Sequence, residues 1–329
     1  MKDPNADLDM IDSTVASVLH LWDLPADAQV VRINVSENVT YRVDAATDRA
    51  VLRVHRPGYH SHDAIECELA WINALQDQGT IRTARIRTGR DGLLIQQASF
   101  PDCTNRFLVL FDFIEGTAPS EDGDLAPGFQ ELGAIAAQTH LHAMAWQPTR
   151  QIERFSWNLD AVFGPEAHWG DWRDAPNVTP EVHMDLEQVE ATIRNRLQHF
   201  GKGPDRYGLI HADMRLANLI RSAEGTTLID FDDCGFGWHL YDFAAAISFI
   251  EDSPQVPALK RAWLEGYRSV RTLPDEDAAE LDTFIMLRRL ALLAWIGSHI
   301  NAPEPQALAP DFARVSAELG RQYLASEPL

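Results

Sequence analysis

The chain reads as a two-domain α+β protein, and three features of its sequence carry that reading. Its 329 residues exceed what one hydrophobic core usually organises. Strand-like segments crowd the first third, and amphipathic helical segments fill most of the remainder. Between them runs Ile114-Glu115-Gly116-Thr117-Ala118-Pro119, a stretch with the Gly and Pro of a linker, so residues 1–113 are assigned to a sheet-bearing domain and residues 114–329 to a helical one.

The elements follow in order. After a short helix near Asp12 to Trp22, the segments Val30 to Val35, Val39 to Asp44 and Ala50 to Arg56 are rich in Val, Ile, Thr and Tyr and predict a small antiparallel sheet. His62 to Gln78 spaces Ile65, Leu69, Ile72 and Leu75 along one helical face and stops at Gly79. Further strands are expected at Ala84 to Thr88 and Leu93 to Ala98, joined by Gly-Arg-Asp-Gly, and at Phe107 to Phe113. Beyond the linker, helices are expected over Gly128 to Ala145, Pro180 to Phe200, Leu240 to Glu251, Val256 to Tyr267, Asp275 to Ile300 and Pro310 to Leu324. Two short strands, Leu219 to Arg221 and Thr227 to Phe231, interrupt them.

Composition excludes several functions. Lys and Arg total 28 against 49 Asp and Glu, and a net charge of -21 repels phosphate backbones and anionic lipid, so neither nucleic acid nor membrane is an expected partner. Three widely spaced cysteines, Cys67, Cys103 and Cys234, build neither a disulfide framework nor a C-x-x-C metal site and fit a reducing compartment. The N-terminal residues show no basic start running into an apolar stretch, and the longest apolar run, around Leu240 to Ile250, contains Asp242 and is too short to span a bilayer. A cytoplasmic protein is expected.

The chemistry is concentrated between Leu209 and Asp242. His211-Ala-Asp213 and Asn218 form H-x-D-x-x-x-x-N, followed about a dozen residues later by an apolar strand ending in Asp230-Phe-Asp232-Asp233. Phosphoryl transfer asks for one carboxylate to orient a hydroxyl and accept its proton, and for hard oxygen ligands to hold Mg²⁺ on the phosphates. Asp213, Asn218 and Asp230 are residues of the right kind.

This segment resembles the catalytic and metal loops of the aminoglycoside phosphotransferase and choline kinase superfamily, relatives of the protein kinases. It is most similar to the bacterial homoserine kinase-like and stress-response kinase-like branch, whose metal loop also runs Asp-Phe-Asp-Asp. The resemblance implies a bilobal, protein kinase-like fold that uses ATP and Mg²⁺. It makes Asp213 the catalytic base, Asn218 and Asp230 magnesium ligands, and Asp242 a brace for the catalytic loop, with His211 packing in support. It places the phosphate-binding cation at Arg53 and its acidic partner at Glu68, with Glu66 competing for that role. Adenine would meet backbone groups of Asp112 and Ile114. The loop Asn34-Val-Ser36-Glu-Asn38 lacks the glycines of a protein-kinase phosphate loop; Ser36 or Asn38 could donate to phosphate, or form a polar hairpin tip.

The acceptor is less legible. After Asp213 the chain reads Met214-Arg215-Leu216-Ala217 where the family commonly has Leu-His-Pro-Gly, so Arg215 either binds a phosphate or acceptor or braces the loop. Trp169, Trp172, Trp295 and Asp232 are candidates for an acceptor site, since aromatics with carboxylates suit a cationic amine, although buried packing is the heavier expectation for the Trp residues. Arg288 and Arg289 suit either a substrate carboxylate or ordinary ion pairs. The expected activity is ATP-dependent O-phosphorylation of an amino alcohol, hydroxy amino acid or amino sugar; the alternatives are a Ser/Thr protein kinase of the stress-response type and a non-catalytic nucleotide-binding regulator.

Overall fold

A computed structural model describes residues 4–25, 27–35, 38–79, 81–119 and 123–326. It divides into two compact units. Unit 1 comprises the residues up to Thr117 with Pro148–Arg154 and Ile220–Asp232; unit 2 comprises Ala118–Gln147, Phe155–Leu219 and the residues from Asp233 onward. In chain order the first elements are α1 (Pro4–Val18), β1 (Gln29–Val35), β2 (Val39–Asp44), β3 (Arg49–Val54), α2 (His62–Gln78), β4 (Arg82–Thr83), β5 (Ile86–Arg87), β6 (Gln96–Ser99) and β7 (Asn105–Asp112). There follow α3 (Ala126–Ala145), β8 (Phe155–Trp157), α4 (Leu159–Phe163), α5 (Pro180–Phe200), β9 (Tyr207–Ile210), β10 (Leu219–Ser222), β11 (Gly225–Leu228) and β12 (Gly235–Trp238). The described chain ends with α6 (Tyr241–Ala246), α7 (Val256–Val270), α8 (Asp275–Ala278), α9 (Leu281–Ser298) and α10 (Pro303–Ala325).

In unit 1 an antiparallel sheet runs in the order β1-β2-β3-β7-β5, with β6 also on β7. Alternation along the strands sends Tyr41, Val43, Leu52, Val54, Leu108 and Leu110 to one face, where they bury against Ile11, Val15 and Trp22 of the N-terminal segment. Each such side chain contributes about 1.5–3 kcal/mol. Arg53 lies on the opposite face, paired in register with Thr40 and Val109. The hydroxyl of Ser61 accepts the Ala64 N–H at 3.0 Å to begin α2, and Gly79, at φ 64°, ends it as the sequence predicts. β5 and β6 pair with β7 rather than with each other, because the Gly89–Leu93 turn between them closes on itself through a 2.8 Å backbone bond.

Among the described residues, unit 2 is helical except for one three-stranded sheet, ordered β8-β12-β9, that the sequence reading missed. Its strands are three or four residues long, and β12 contains two glycines, so neither length nor β-propensity announces it. A Cβ at Gly237 would sit 2.5 Å from Ile210 Cδ1, which explains one of those glycines. The helix expected over Leu240 to Glu251 stops at Ala246, and Phe249 then adopts a left-handed φ of 71°. The helix expected over Asp275 to Ile300 is two helices, broken where Glu280 turns its carboxylate to Arg196 at 2.9 Å and Thr283 at 2.8 Å. α10 begins seven residues earlier than expected and carries Pro310 in its interior. Among the described residues no helix is long and apolar enough to cross a membrane.

The α3–α7 contact is set by two glycines. A Cβ at Gly133 would lie 2.1 Å from the Trp263 carbonyl oxygen, and one at Gly266 would lie 1.8 Å from that of Gln130. Both neighbours are backbone, so the helices must part to admit a methyl group. Gly266→Ala is therefore expected to lower the unfolding free energy by about 3 kcal/mol, overpacking outweighing the helix-propensity gain; a urea titration showing no loss would contradict the close crossing.

Candidate active site

In unit 2, β9 delivers the chain into His211-Ala212-Asp213, and Ala212 takes a left-handed conformation, φ 65°. What holds it there is Asp242, fully buried at the start of α6. Its Oδ1 accepts the Ala212 N–H at 2.7 Å, and its Oδ2 accepts the His211 N–H at 3.3 Å. Oδ2 also meets His140 Nε2 at 2.8 Å, while His140 Nδ1 lies 3.0 Å from the Tyr267 hydroxyl, which accepts from Arg271 at 2.6 Å. Burial, with the charge of Arg271, holds the His140 ring neutral, its pKa well below the usual value. Its Nε2–H therefore donates to Asp242, and its Nδ1 accepts from Tyr267.

The turn presents the Asp213 carboxylate. Asn218, in the short turn Leu216–Asn218, donates its Nδ2–H to Asp213 Oδ2 at 2.9 Å and to the Asp213 carbonyl at 2.7 Å. Arg288 donates to Oδ1 at 3.3 Å, and Arg215 Nε lies 3.3 Å from the same oxygen. Burial pushes the carboxyl up, but the Arg215 and Arg288 charges outweigh it and hold the group below its ordinary value. The ring of His211 is buried, and its Nδ1 accepts the Asp213 N–H at 3.3 Å.

In unit 1, the Arg53 guanidinium meets Glu68 Oε1 at 2.5 Å and Asp232 Oδ1 at 3.3 Å, with Asp230 Oδ1 at 3.9 Å. Burial alone would lower its pKa; the three carboxylates reverse that and keep it protonated. Its Nε–H has no acceptor among the described residues. Glu66, the competitor, is turned to Arg150 instead. Asp230 is left-handed, φ 62°, and its carboxylate is 48% exposed, so this acid is offered outward while its neighbours are buried.

Two candidates move. Asp232, expected near an acceptor, belongs to unit 1: buried, it bonds Arg53 and lies 3.5 Å from His60 Nε2 and 3.9 Å from His55 Nδ1. Burial raises its pKa, yet the His60 hydrogen bond and the Arg53 charge hold it far below the usual value. Trp172 is fully buried, donates its Nε1–H to Glu190 at 2.8 Å and stacks on Arg173, so it is packing. Trp169 is also buried but lies beside Arg288, and Trp295 stacks on His299 and meets the Phe249 ring at a tilt of 50°. Asn38 Oδ1 accepts the Arg56 N–H at 3.2 Å. Ser36 lies outside the described residues. The Asp112 N–H donates to the Arg85 carbonyl at 2.8 Å and its carboxylate accepts from Arg87, with Ile114 just beyond the end of β7.

The sequence reading missed Val31, Val51 and Phe111. Register places all three on the Arg53 face of the sheet: Val51 opposes Phe111, Val31 and Val51 both oppose Arg42, and the Phe111 ring lies 5.1 Å from the Arg53 guanidinium. Period-two alternation from Arg53 would have found Val51.

Fold and residues together define a kinase-like phosphotransferase. Residues 29–273 match the model of the phosphotransferase enzyme family, APH, and the chain belongs to that family. It is similar to the structure of a microcompartment-associated aminopropanol kinase, with 39% identity and a TM-score of 0.89 over 95% of this chain and 97% of that one. The structure of amicoumacin kinase hAmiN in complex with AMP-PNP, Ca²⁺ and Ami shares the fold at 20% identity, with a TM-score of 0.74 over 96% and 94% of the two chains. An uncharacterized protein of Synechocystis is 25% identical over 240 residues, 71% of this chain and 63% of that protein's length. The protein is a small-molecule kinase that transfers phosphate to a hydroxyl acceptor.

The Asp242 brace makes a pH prediction. Burial pushes its carboxyl up to about 6, against the opposing influence of His211 and the two backbone N–H groups. A raised folded-state value means that the native protein keeps a proton which the unfolded chain releases near pH 3.9; this stabilisation is full below about pH 4 and lost as pH rises through about 6. Asp242→Asn removes it. Denaturant titrations from about pH 4 to 7 should show the wild type's advantage over the variant shrinking by about 3 kcal/mol as pH rises, and a difference independent of pH would rule the raised value out.

Proposed function

We propose that this kinase takes its phosphate from MgATP and delivers it to the hydroxyl of a short amino alcohol. The observation that carries the acceptor class is the 39% identity, across nearly the whole chain, to an aminopropanol kinase. Asp213 accepts the hydroxyl proton as the new O–P bond forms and the bond from the γ-phosphorus to ADP breaks. Its fixed, ionised carboxylate suits that role, because phosphoryl transfer relies on positioning and electrostatics more than on a strong base.

Asn218 and Asp230 supply an amide oxygen and a half-exposed carboxylate, the hard donors that Mg²⁺ prefers, and their fit rests on that chemistry. When bound, the ion offsets charge on the phosphate oxygens. Arg53 holds the α- and β-phosphates, braced by Glu68 and Asp232, which keep its guanidinium in one orientation. Val31, Val51 and Phe111 face the adenine ring, and backbone groups at Asp112 and Ile114 hydrogen-bond its edge.

The test is Mg²⁺-dependent ADP release from ATP with 1-amino-2-propanol, ethanolamine, homoserine, an aminoglycoside and a generic protein as acceptors. Stimulation by the amino alcohols is expected; stimulation by homoserine or the aminoglycoside alone would replace the acceptor class. Asp213→Asn should reduce kcat by about 10²–10⁴-fold while nucleotide binding persists. Asp230→Ala should also lose Mg²⁺-dependent nucleotide affinity, and unchanged turnover in either variant would remove its assignment.

A further inference from the structure

Arg288 and Arg289 are neighbours on α9, both buried, with different partners. Arg289 bonds Glu251 at 2.6 Å and Ser316 at 2.8 Å and lies over the Phe312 ring, which ties α9 to α10. Arg288 instead sits among the rings of Trp157, Trp169 and Tyr241, whose centroids lie 5.9, 5.2 and 5.7 Å from its guanidinium carbon. It donates to Ser248 Oγ at 3.1 Å, to the Tyr241 hydroxyl at 3.4 Å and to Asp213 Oδ1 at 3.3 Å. Only 4% of the side chain is exposed. A cation taken out of water is costly unless paired, and the carboxylate this one touches is Asp213.

We propose that Arg288 is a positioning residue for the phosphoryl-transfer base: clamped in its aromatic box, it fixes Asp213 Oδ1 while Asn218 fixes Oδ2. The carboxylate plane is then set by these donors on opposite oxygens, each on a different element, with Arg215 Nε within 3.3–3.4 Å of both oxygens. A planar guanidinium suits the box, since it stacks on rings and donates from its edge, whereas an ammonium would do only the first in part. The box is filled by the protein's own cation, so the acceptor's ammonium is recognised elsewhere.

This inference rests on Asp213 being the base, and the experiment separates the two. ADP release from MgATP is measured with 1-amino-2-propanol, or with water as acceptor where the amine is refused, for the wild type, Asp213→Asn, Arg288→Met, Arg288→Lys and Arg288→Ala, with melting temperatures for each. Arg288→Met should lower kcat about 100-fold with KM for ATP unchanged, as for a misplaced catalytic group. Guanidinium added to Arg288→Ala should restore turnover, and urea, its neutral counterpart, should not. Should the methionine variant not fold, Arg288→Lys carries the same kcat-against-KM readout. A folded Arg288→Met with wild-type kcat, a rate loss that follows melting temperature, or no rescue by guanidinium in folded Arg288→Ala overturns the inference. An active Asp213→Asn removes the reading of Asp213 and the inference with it; an inactive one beside a fully active Arg288→Met removes the inference alone.

Discussion

The rest of unit 2's chemistry depends on the buried carboxylate of Asp242. A charge without solvent needs several hydrogen bonds, and Asp242 finds them in the backbone N–H groups of Ala212 and His211 and in the ring of His140. Two of those donors belong to a turn whose middle residue, an alanine, is left-handed, a strain of about 1–3 kcal/mol. Charge-assisted bonds of about 1.5–3 kcal/mol each offset it. The exchange is structural as well as energetic: satisfying Asp242 forces the turn, and the turn presents Asp213. Because His140 lies on α3 and Tyr267 on α7, the brace also ties two helices to the loop, which gives their close glycine-to-glycine crossing a consequence for chemistry.

The charged groups of the two units follow one rule with opposite signs. In unit 2 an anion, Asp213, is held between the guanidinium groups of Arg215 and Arg288. In unit 1 a cation, Arg53, is held among Glu68, Asp232 and Asp230. In each case burial disfavours the charged form, and the counter-charges outweigh it. A carboxylate so stabilised is only weakly basic. That suits a transfer in which the phosphorus centre needs an oriented hydroxyl more than an alkoxide.

Legibility in the sequence followed distance along the chain. Asp213, Asn218 and Asp230 stood out through a spacing within one short stretch, and the structure bonds the first two at 2.9 Å. Arg53 and Glu68 were readable because a strand and the helix after it are local elements, and the structure joins them at 2.5 Å. The partner of Asp232 was not, since Arg53 lies 179 residues away in sequence, and the residue type alone suggested only an acceptor-site carboxylate. His55 and His60, which face it, carry no spacing signal at all. The sheet of β8, β12 and β9 was hidden for a different reason: its stability comes from pairing among distant short segments, and two of its residues are glycines chosen for close approach rather than for strand preference.

One signal was read only in part: Arg288 and Arg289 were given ion pairs as one of two alternatives, without partners. α9 is buried almost all round, and its sequence, Thr-Phe-Ile-Met-Leu-Arg-Arg-Leu-Ala-Leu-Leu-Ala-Trp, sets two arginines in an apolar run. A helix with no solvent face cannot place a guanidinium in water, so each arginine there must have a built partner. Neighbours on a helix point about 100° apart, so the partners must differ, one toward each packed side. The structure supplies them as Asp213 and Glu251. The more general signal is therefore the arginine inside an apolar helix: its burial is predictable from the pattern, its need for an anion follows from the cost of burying charge, and here one such anion, Asp213, is the carboxylate proposed as the base.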